Sequence, residues 1–220
     1  MIMNLHDKYK KYRPLVKRAI DVSVASVGLF FSLPIVTVAG IVIRIKEGED
    51  PSFDQDRIGL NGEVFKVHKL KTIYNGKQNG LSHFLRRSKI DELPQLWNVF
   101  KGEMSLVGPR PLMTKTKIAH DPVRQSVLPG ITGYAQINGG NDLTDDQKLR
   151  KDRAYVRREG GLRTDLSMLF GTFASVISGS DSASALNKNE VFIDDTASKV
   201  HLKPQTKKHP PKLEREALEI

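Results

Sequence analysis

One stretch limits every other choice this chain can make. From Ala19 to Ile43 it reads AIDVSVASVGLFFSLPIVTVAGIVI, with Asp21 as the only charge. Residues 22–43 are enough to cross a bilayer core as a helix, which takes about 20 residues. Pro34 lies in the middle, where it removes a ladder hydrogen bond and bends the helix. Lys8, Lys10, Lys11, Arg13, Lys17 and Arg18 precede the run, and Arg44, Lys46 and Arg57 follow it. With both flanks basic, the positive-inside tendency places both ends in the cytoplasm. A helix that enters the membrane, bends at Pro34 and leaves by the same face meets all these conditions. That re-entrant reading is preferred to a straight span or a buried core helix. A cleaved signal peptide does not fit, because eighteen residues precede the run and it is too long for an h-region.

Charge narrows the partners. The formal net charge is +10, and residues 181–220 are neutral, so the excess lies in 1–180. A basic body points to anionic partners: phosphorylated small molecules, acidic lipid or nucleic acid. Nucleic acid is disfavoured, since basic residues are not interleaved with stacking aromatics and no recognition helix is evident. The chain has no cysteine, which excludes a disulfide framework and thiolate chemistry. The expected organisation is α+β. Residues 1–46 form a basic segment and the membrane helix, 47–180 a small mixed cytosolic domain, and 181–220 a mostly disordered tail.

Within 47–180, Asn61-Gly62 joins two β-like runs and predicts a hairpin. On its second strand Lys69 and Lys71 share a face, about 7 Å apart, a spacing suited to a diphosphate or to an ordinary solvated strand end. Residues 75–80 read as a loop and SHFLRR as a short helix. In KIDELPQLWNVFKG (89–102), Pro94 belongs in a first helical turn, so the N-cap is expected near Asp91. Leu93, Leu96, Trp97 and Phe100 recur at helical spacing, and Gly102 is the stop. Asp91 would then sit at a helix N-terminus that favours an anion, as an ordinary cap or as something more. Pro109 and Pro111 hold Arg110, a phosphate-gripping side chain, on a rigid extended support. LPGITGYAQING (128–139) reads as irregular, its glycines allowing a ligand to approach the backbone. Thr144 and Gln147 form a capping box for a charged helix ending at Gly160-Gly161. Thr164 is expected to cap a last helix, whose stripe of Leu166, Leu169, Phe170, Phe173, Val176 and Ile177 reads as core packing in preference to a membrane-surface face.

These pieces, in their order, resemble one family. QDRIGLNGEVFKVHKLKT, LRRSKIDELPQLWNVFKGEMSLVGPRPL, LPGITGYAQINGGN and DRAYVRREGGLRTDLSML follow one another as in the bacterial sugar transferases, the monotopic phosphoglycosyl transferases that act on polyprenol phosphate. The resemblance covers about residues 14–179. It implies transfer of a sugar-1-phosphate from a UDP-sugar (UDP-galactose or UDP-glucose favoured) to undecaprenyl phosphate at the cytoplasmic face of the bacterial inner membrane. UMP would be released, and exopolysaccharide, capsule or O-antigen assembly begun. It implies that Asp91 is the nucleophile of a covalent aspartyl-phosphosugar intermediate and that Glu92 is a Mg²⁺ ligand. Arg86, Arg110, Lys69 and Lys71 match phosphate-holding positions. The chain departs from relatives at Leu33, often Ser, at Gly140, often Arg, and at Tyr134, often Trp. A catalytically silent membrane scaffold for polysaccharide assembly is the alternative reading.

Overall fold

A computed structural model describes residues 15–157 and 162–178. The expectations for residues 1–14, for Gly160-Gly161 and for the 181–220 tail lie outside them. The apolar run becomes α1, Leu15–Glu47, a helix that continues through Pro34. Among the described residues it is the one helix long and apolar enough to cross a membrane. Its outward residues include Val27, Phe30, Phe31, Leu33 and Val38, while Asp21, Ala25, Ser32 and Ile43 are buried. A helix that is apolar on its exposed side has that side matched to something other than water.

The buried stripe of α1 meets the rest of the chain at both ends. Asp21 Oδ1 accepts from the Leu106 backbone N–H at 3.1 Å, and Lys17 pairs with Asp165. Farther along, Ile43 packs with Leu70, Tyr74 and Leu85, joined by Val36 and Ala39.

After α1 come β1 (Ser52–Ile58) and β2 (Val64–Leu70), an antiparallel pair with Ser52 opposite Leu70 and Ile58 opposite Val64. The hairpin turns where the sequence predicts. Asn61 and Gly62 have φ of 56° and 81°, the left-handed pair that a type I′ turn requires. Next are α2 (Gly80–Arg87), a 3₁₀ turn over Ile90–Glu92, and α3 (Gln95–Lys101). Two short parallel strands follow, β3 (Ser105–Val107) and β4 (Gly130–Thr132), then α4 (Tyr134–Ile137), α5 (Asp145–Arg157) and α6 (Leu162–Ser178). The core gathers Ala25 of α1, Val67, Val99, Met104, Val107, Tyr155, Val156 and Met168. The α+β class with a membrane-length helix and a small sheet domain therefore stands.

Several local expectations are corrected. Residues 128–139 are not wholly irregular, and Gly130 and Gly133 approach other backbone, not an open site, while Gly139 lies against the Leu143 side chain. A Cβ on Gly130 would lie 2.1 Å from Gly108 N, and one on Gly133 would lie 2.1 Å from Gly108 O. The α5 capping box forms, with Thr144 N–H donating to Gln147 Oε1 at 2.8 Å. Thr164 does not cap α6, which begins at Leu162. Leu166, Phe170 and Phe173 are exposed, and α6 turns Asp165, Met168 and Gly171 inward instead. The inward face is chosen by fit: Gly171 comes close to Ile137, and Thr172 hydrogen-bonds Thr132, neither of which the apolar pattern predicts.

Candidate active site

The segment carrying Asp91 and Glu92 is set by two anchors. Arg18 of α1 donates to the Val99 and Phe100 carbonyls at 2.7 and 2.9 Å, satisfying the C-terminal end of α3 where Gly102 (φ 93°) stops it. Asn98, fully buried, accepts from His68 N–H at 3.1 Å and donates to Lys66 O at 2.7 Å, which fastens α3 beside β2. The outward face of α3 holds Trp97 stacked on Phe100, with ring centroids 5.5 Å apart. These two share the helical spacing read from the sequence, but the buried positions of α3 are Gln95, Asn98 and Val99.

The acidic pair precedes the helix instead of opening it. Pro94 has no N–H to extend the i→i+3 bonds that run through Leu93, so α3 starts only at Gln95 and Pro94 flanks it. Asp91 is thus not an N-cap. It lies in the 3₁₀ turn, buried, and its Oδ1 has no hydrogen-bond partner. Lys89 enters that turn in the left-handed region, φ 58°, a costly conformation for a residue with a side chain. Burial, with help from the charge of Glu92, raises the Asp91 carboxyl above its ordinary range, against the pull of Lys69, Lys89 and Arg86. A favourable helix end is therefore not what governs this carboxylate.

Glu92 is the opposite case. Burial would raise it, but the cations of Arg110, Lys69 and Lys89 prevail and hold it at about 2. Its Oε1 accepts from Lys69 Nζ at 2.8 Å and from Arg110 Nη2 at 3.1 Å. Two adjacent acids thus differ in acidity, as their surroundings dictate.

Both line an open cleft of about 1040 Å³. Lys69, Lys71, Arg86 and Arg110, all anticipated, reach it, as do Arg57, Arg87 and Lys89, which were not. Seven cations facing two carboxylates make a site for a multiply charged anion. Lys71 pairs with Glu49, so the structure separates it from Lys69's partner. Arg86 Nε is held by Thr72 Oγ1 at 2.9 Å. Arg57 donates to the Pro111 carbonyl at 3.2 Å; its place on β1, two residues from Gln55 on the same face, was the available signal. Pro109 and Pro111, read as substrate-binding, flank Arg110 but are not among the cleft's lining residues, and neither is Pro34.

The donor set can be tested against a Mg²⁺ ion. Asp91 and Glu92 are the carboxylates of the cleft, and no cluster of three His, Cys, Asp or Glu occurs among the described residues. Mg²⁺ is held by one or two carboxylates, with waters and substrate phosphates completing its shell. The free Oδ1 of Asp91 and the carboxylate of Glu92 fit that requirement.

Comparison with known proteins identifies the family. Residues 12–179 match the bacterial sugar transferase family. An undecaprenyl-phosphate glucose phosphotransferase of Komagataeibacter xylinus is 34% identical over 72% of this chain and 35% of its own length. A UDP-glucose:undecaprenyl-phosphate glucose-1-phosphate transferase of Escherichia coli K12 is 34% identical over 72% of the chain and 39% of its own. The exopolysaccharide production protein ExoY of Rhizobium meliloti is 30% identical over 74% and 85%. The chain therefore spans little more than a third of the first two relatives and most of the third. A match over three quarters of its residues makes this chain a member of the bacterial sugar transferase family.

Proposed function

We propose that this chain transfers a sugar-1-phosphate from a UDP-sugar to undecaprenyl phosphate at the cytoplasmic face of the bacterial plasma membrane. The observation that carries the reading is the buried, unpaired Asp91 oxygen at the edge of a cleft lined by seven cations. Asp91 attacks the β-phosphorus of the donor, forming an O–P bond as the bond to the bridging oxygen breaks, and UMP leaves. An oxygen of the acceptor phosphate then attacks the same phosphorus and returns Asp91 as a carboxylate. Arg110, Lys69 and Arg86 hold the phosphate oxygens and offset their charge. Mg²⁺ held by Glu92, with Asp91 beside it, would add neutralisation of the diphosphate. The names of two relatives specify glucose, so UDP-glucose is the first donor to try, with UDP-galactose second.

The test is a donor panel with the purified chain. UDP-sugar alone should give one equivalent of UMP, and polyprenol phosphate should then sustain turnover. Release that requires both substrates together would replace the covalent intermediate with direct transfer. No release from any UDP-sugar would favour a silent scaffold.

For the membrane we propose a re-entrant α1 with its bend at Pro34. Support comes from the contacts of both its ends with one body: Lys17 and Asp21 near the start, Ile43 near the finish. A straight span would carry one end across roughly 30 Å of hydrocarbon, away from those partners. Exposed Phe84, Trp97, Phe100, Phe170 and Phe173 support further contact of the short helices with the lipid interface. Leu5→Cys and Leu60→Cys, made separately in this cysteine-free chain, should both resist a membrane-impermeant thiol reagent in intact cells. Labelling at one position alone would establish a span.

A further inference from the structure

Pro109 and Pro111 have no N–H, so the loop bearing Arg110 must be held largely through its carbonyls. Four in succession are taken, each by a different donor. Pro109 O accepts from Gly130 N–H at 2.9 Å, Pro111 O from Arg57 at 3.2 Å and Leu112 O from Ile58 N–H at 3.0 Å. Between them, Arg110 O accepts from Arg124 Nη2 at 2.6 Å.

Arg124 lines no part of the large cleft. Its side chain is 6% exposed and that of its partner Asp152, on α5, is 3% exposed. Nε donates to Asp152 Oδ2 at 2.8 Å, and Nη1 to Ile118 O at 3.2 Å. The next residue of α5 holds the same segment: Arg153 bonds Asp121 Oδ2, while Asp121 Oδ1 accepts the Arg124 N–H at 3.1 Å. Burying an ion pair this deeply costs several kcal/mol in desolvation, and apolar residues of similar volume often serve stability as well. Apolar residues cannot donate to a carbonyl. Burial raises the Asp152 carboxyl to about 6 despite Arg124 beside it, which agrees with a pair kept for something other than stability.

We infer that Arg124, oriented by Asp152, is a positioning residue: by gripping the Arg110 carbonyl it sets where the Arg110 guanidinium meets the donor's diphosphate. The inference rests on the reading that Arg110 binds that diphosphate.

A double-mutant cycle on the full chain in detergent, reading kcat and KM for UMP release per burst-titrated site, tests it. Arg110→Ala should lower kcat/KM about 100-fold, as loss of one charge-stabilising donor does. Arg124→Met keeps the stem without donors and should lower it about 10-fold by misplacing Arg110. The double variant should fall within about twofold of Arg110→Ala alone, because the two residues act as one unit. Additive losses, or unchanged kinetics in Arg124→Met, would overturn the inference while leaving the proposed reaction intact. Should Arg124→Met not fold, Asp152→Asn keeps an acceptor for Nε and runs the same cycle, with a smaller loss that again vanishes on the Arg110→Ala background. Additivity there overturns the inference equally. Wild-type protein that releases no UMP overturns the reading of the site, and the inference with it.

Discussion

Asp91→Asn should yield a folded protein that forms no phosphosugar adduct and has lost about 10⁴-fold or more of its turnover, the scale of removing a nucleophile. The amide keeps the shape of the side chain but is a poor nucleophile, so the burst of UMP should vanish along with turnover. Intact-protein mass spectrometry reads the adduct as a gain of one phosphosugar. An adduct that survives in Asp91→Asn would move the nucleophile to another residue. Stability should move the other way. Burial raises the folded-state carboxyl above its unfolded value, so ionisation opposes folding. Below the unfolded value both states are protonated and there is no penalty; as pH rises through the folded value the penalty becomes complete. Asp91→Asn should therefore melt higher than wild type at neutral pH, and the gain should disappear in acid. An unchanged or lower melting temperature at pH 7 would argue against a strained, buried carboxylate. Catalysis follows the same ionisation, and adduct formation should fade as pH drops through a value above that of an ordinary aspartate. Glu92→Gln differs on each count. It leaves the nucleophile in place and removes the anion held by Lys69 and Arg110. The adduct should form slowly, with partial recovery at high Mg²⁺.

Gly130→Ala should be the most damaging single methyl among the glycines of the described residues. The added Cβ would meet Gly108 N at 2.1 Å, Thr132 O at 2.5 Å and Gly108 Cα at 2.7 Å, all of them backbone. No side chain can rotate away, so β3 and β4 must part. The cost should be about 3 kcal/mol or more, the upper range for overpacking. For a chain of this size that is a fall of roughly 10 °C in melting temperature. Activity should fall further than the folded fraction, because Gly130 N–H also holds Pro109 O in the Arg110 loop. Gly80→Ala is the control: nothing lies within 4 Å of its Cβ position, and its melting temperature should stay within about 2 °C of wild type. Comparable melting of the two variants would show that the β3–β4 joint yields more easily than its geometry implies.

Much of the chain was legible because its signals are local. The length of the apolar run, the left-handed Asn61-Gly62 turn, the Thr144–Gln147 capping box and the stop at Gly102 each depend on neighbours a few residues away. The acidic pair and Arg110 were legible through a motif, which names residues without describing their surroundings. The error over Asp91 shows the difference. Pro94 does mark a helix start, but one turn later than expected, and the carboxylate is governed by burial and by Lys69, Lys89 and Arg86 instead of by a helix end.

Which apolar stripe faces inward was likewise decided by packing. Trp97 and Phe100 on α3, and Leu166, Phe170 and Phe173 on α6, have the periodicity of a core and lie outside it. Periodicity measures a face, and the lipid interface and the protein core reward the same one. The sequence by itself determined the membrane-length helix, the hairpin, the short helices and the acidic pair that the cleft contains. Only the tertiary structure decided that Lys71 belongs to Glu49, that Arg57 and Arg124 hold the Arg110 loop, and that Gly130 and Gly133 pack on the Gly108 backbone. Those contacts join residues 14 to 54 positions apart, and pairs so distant leave no period or spacing in the chain that would reveal them.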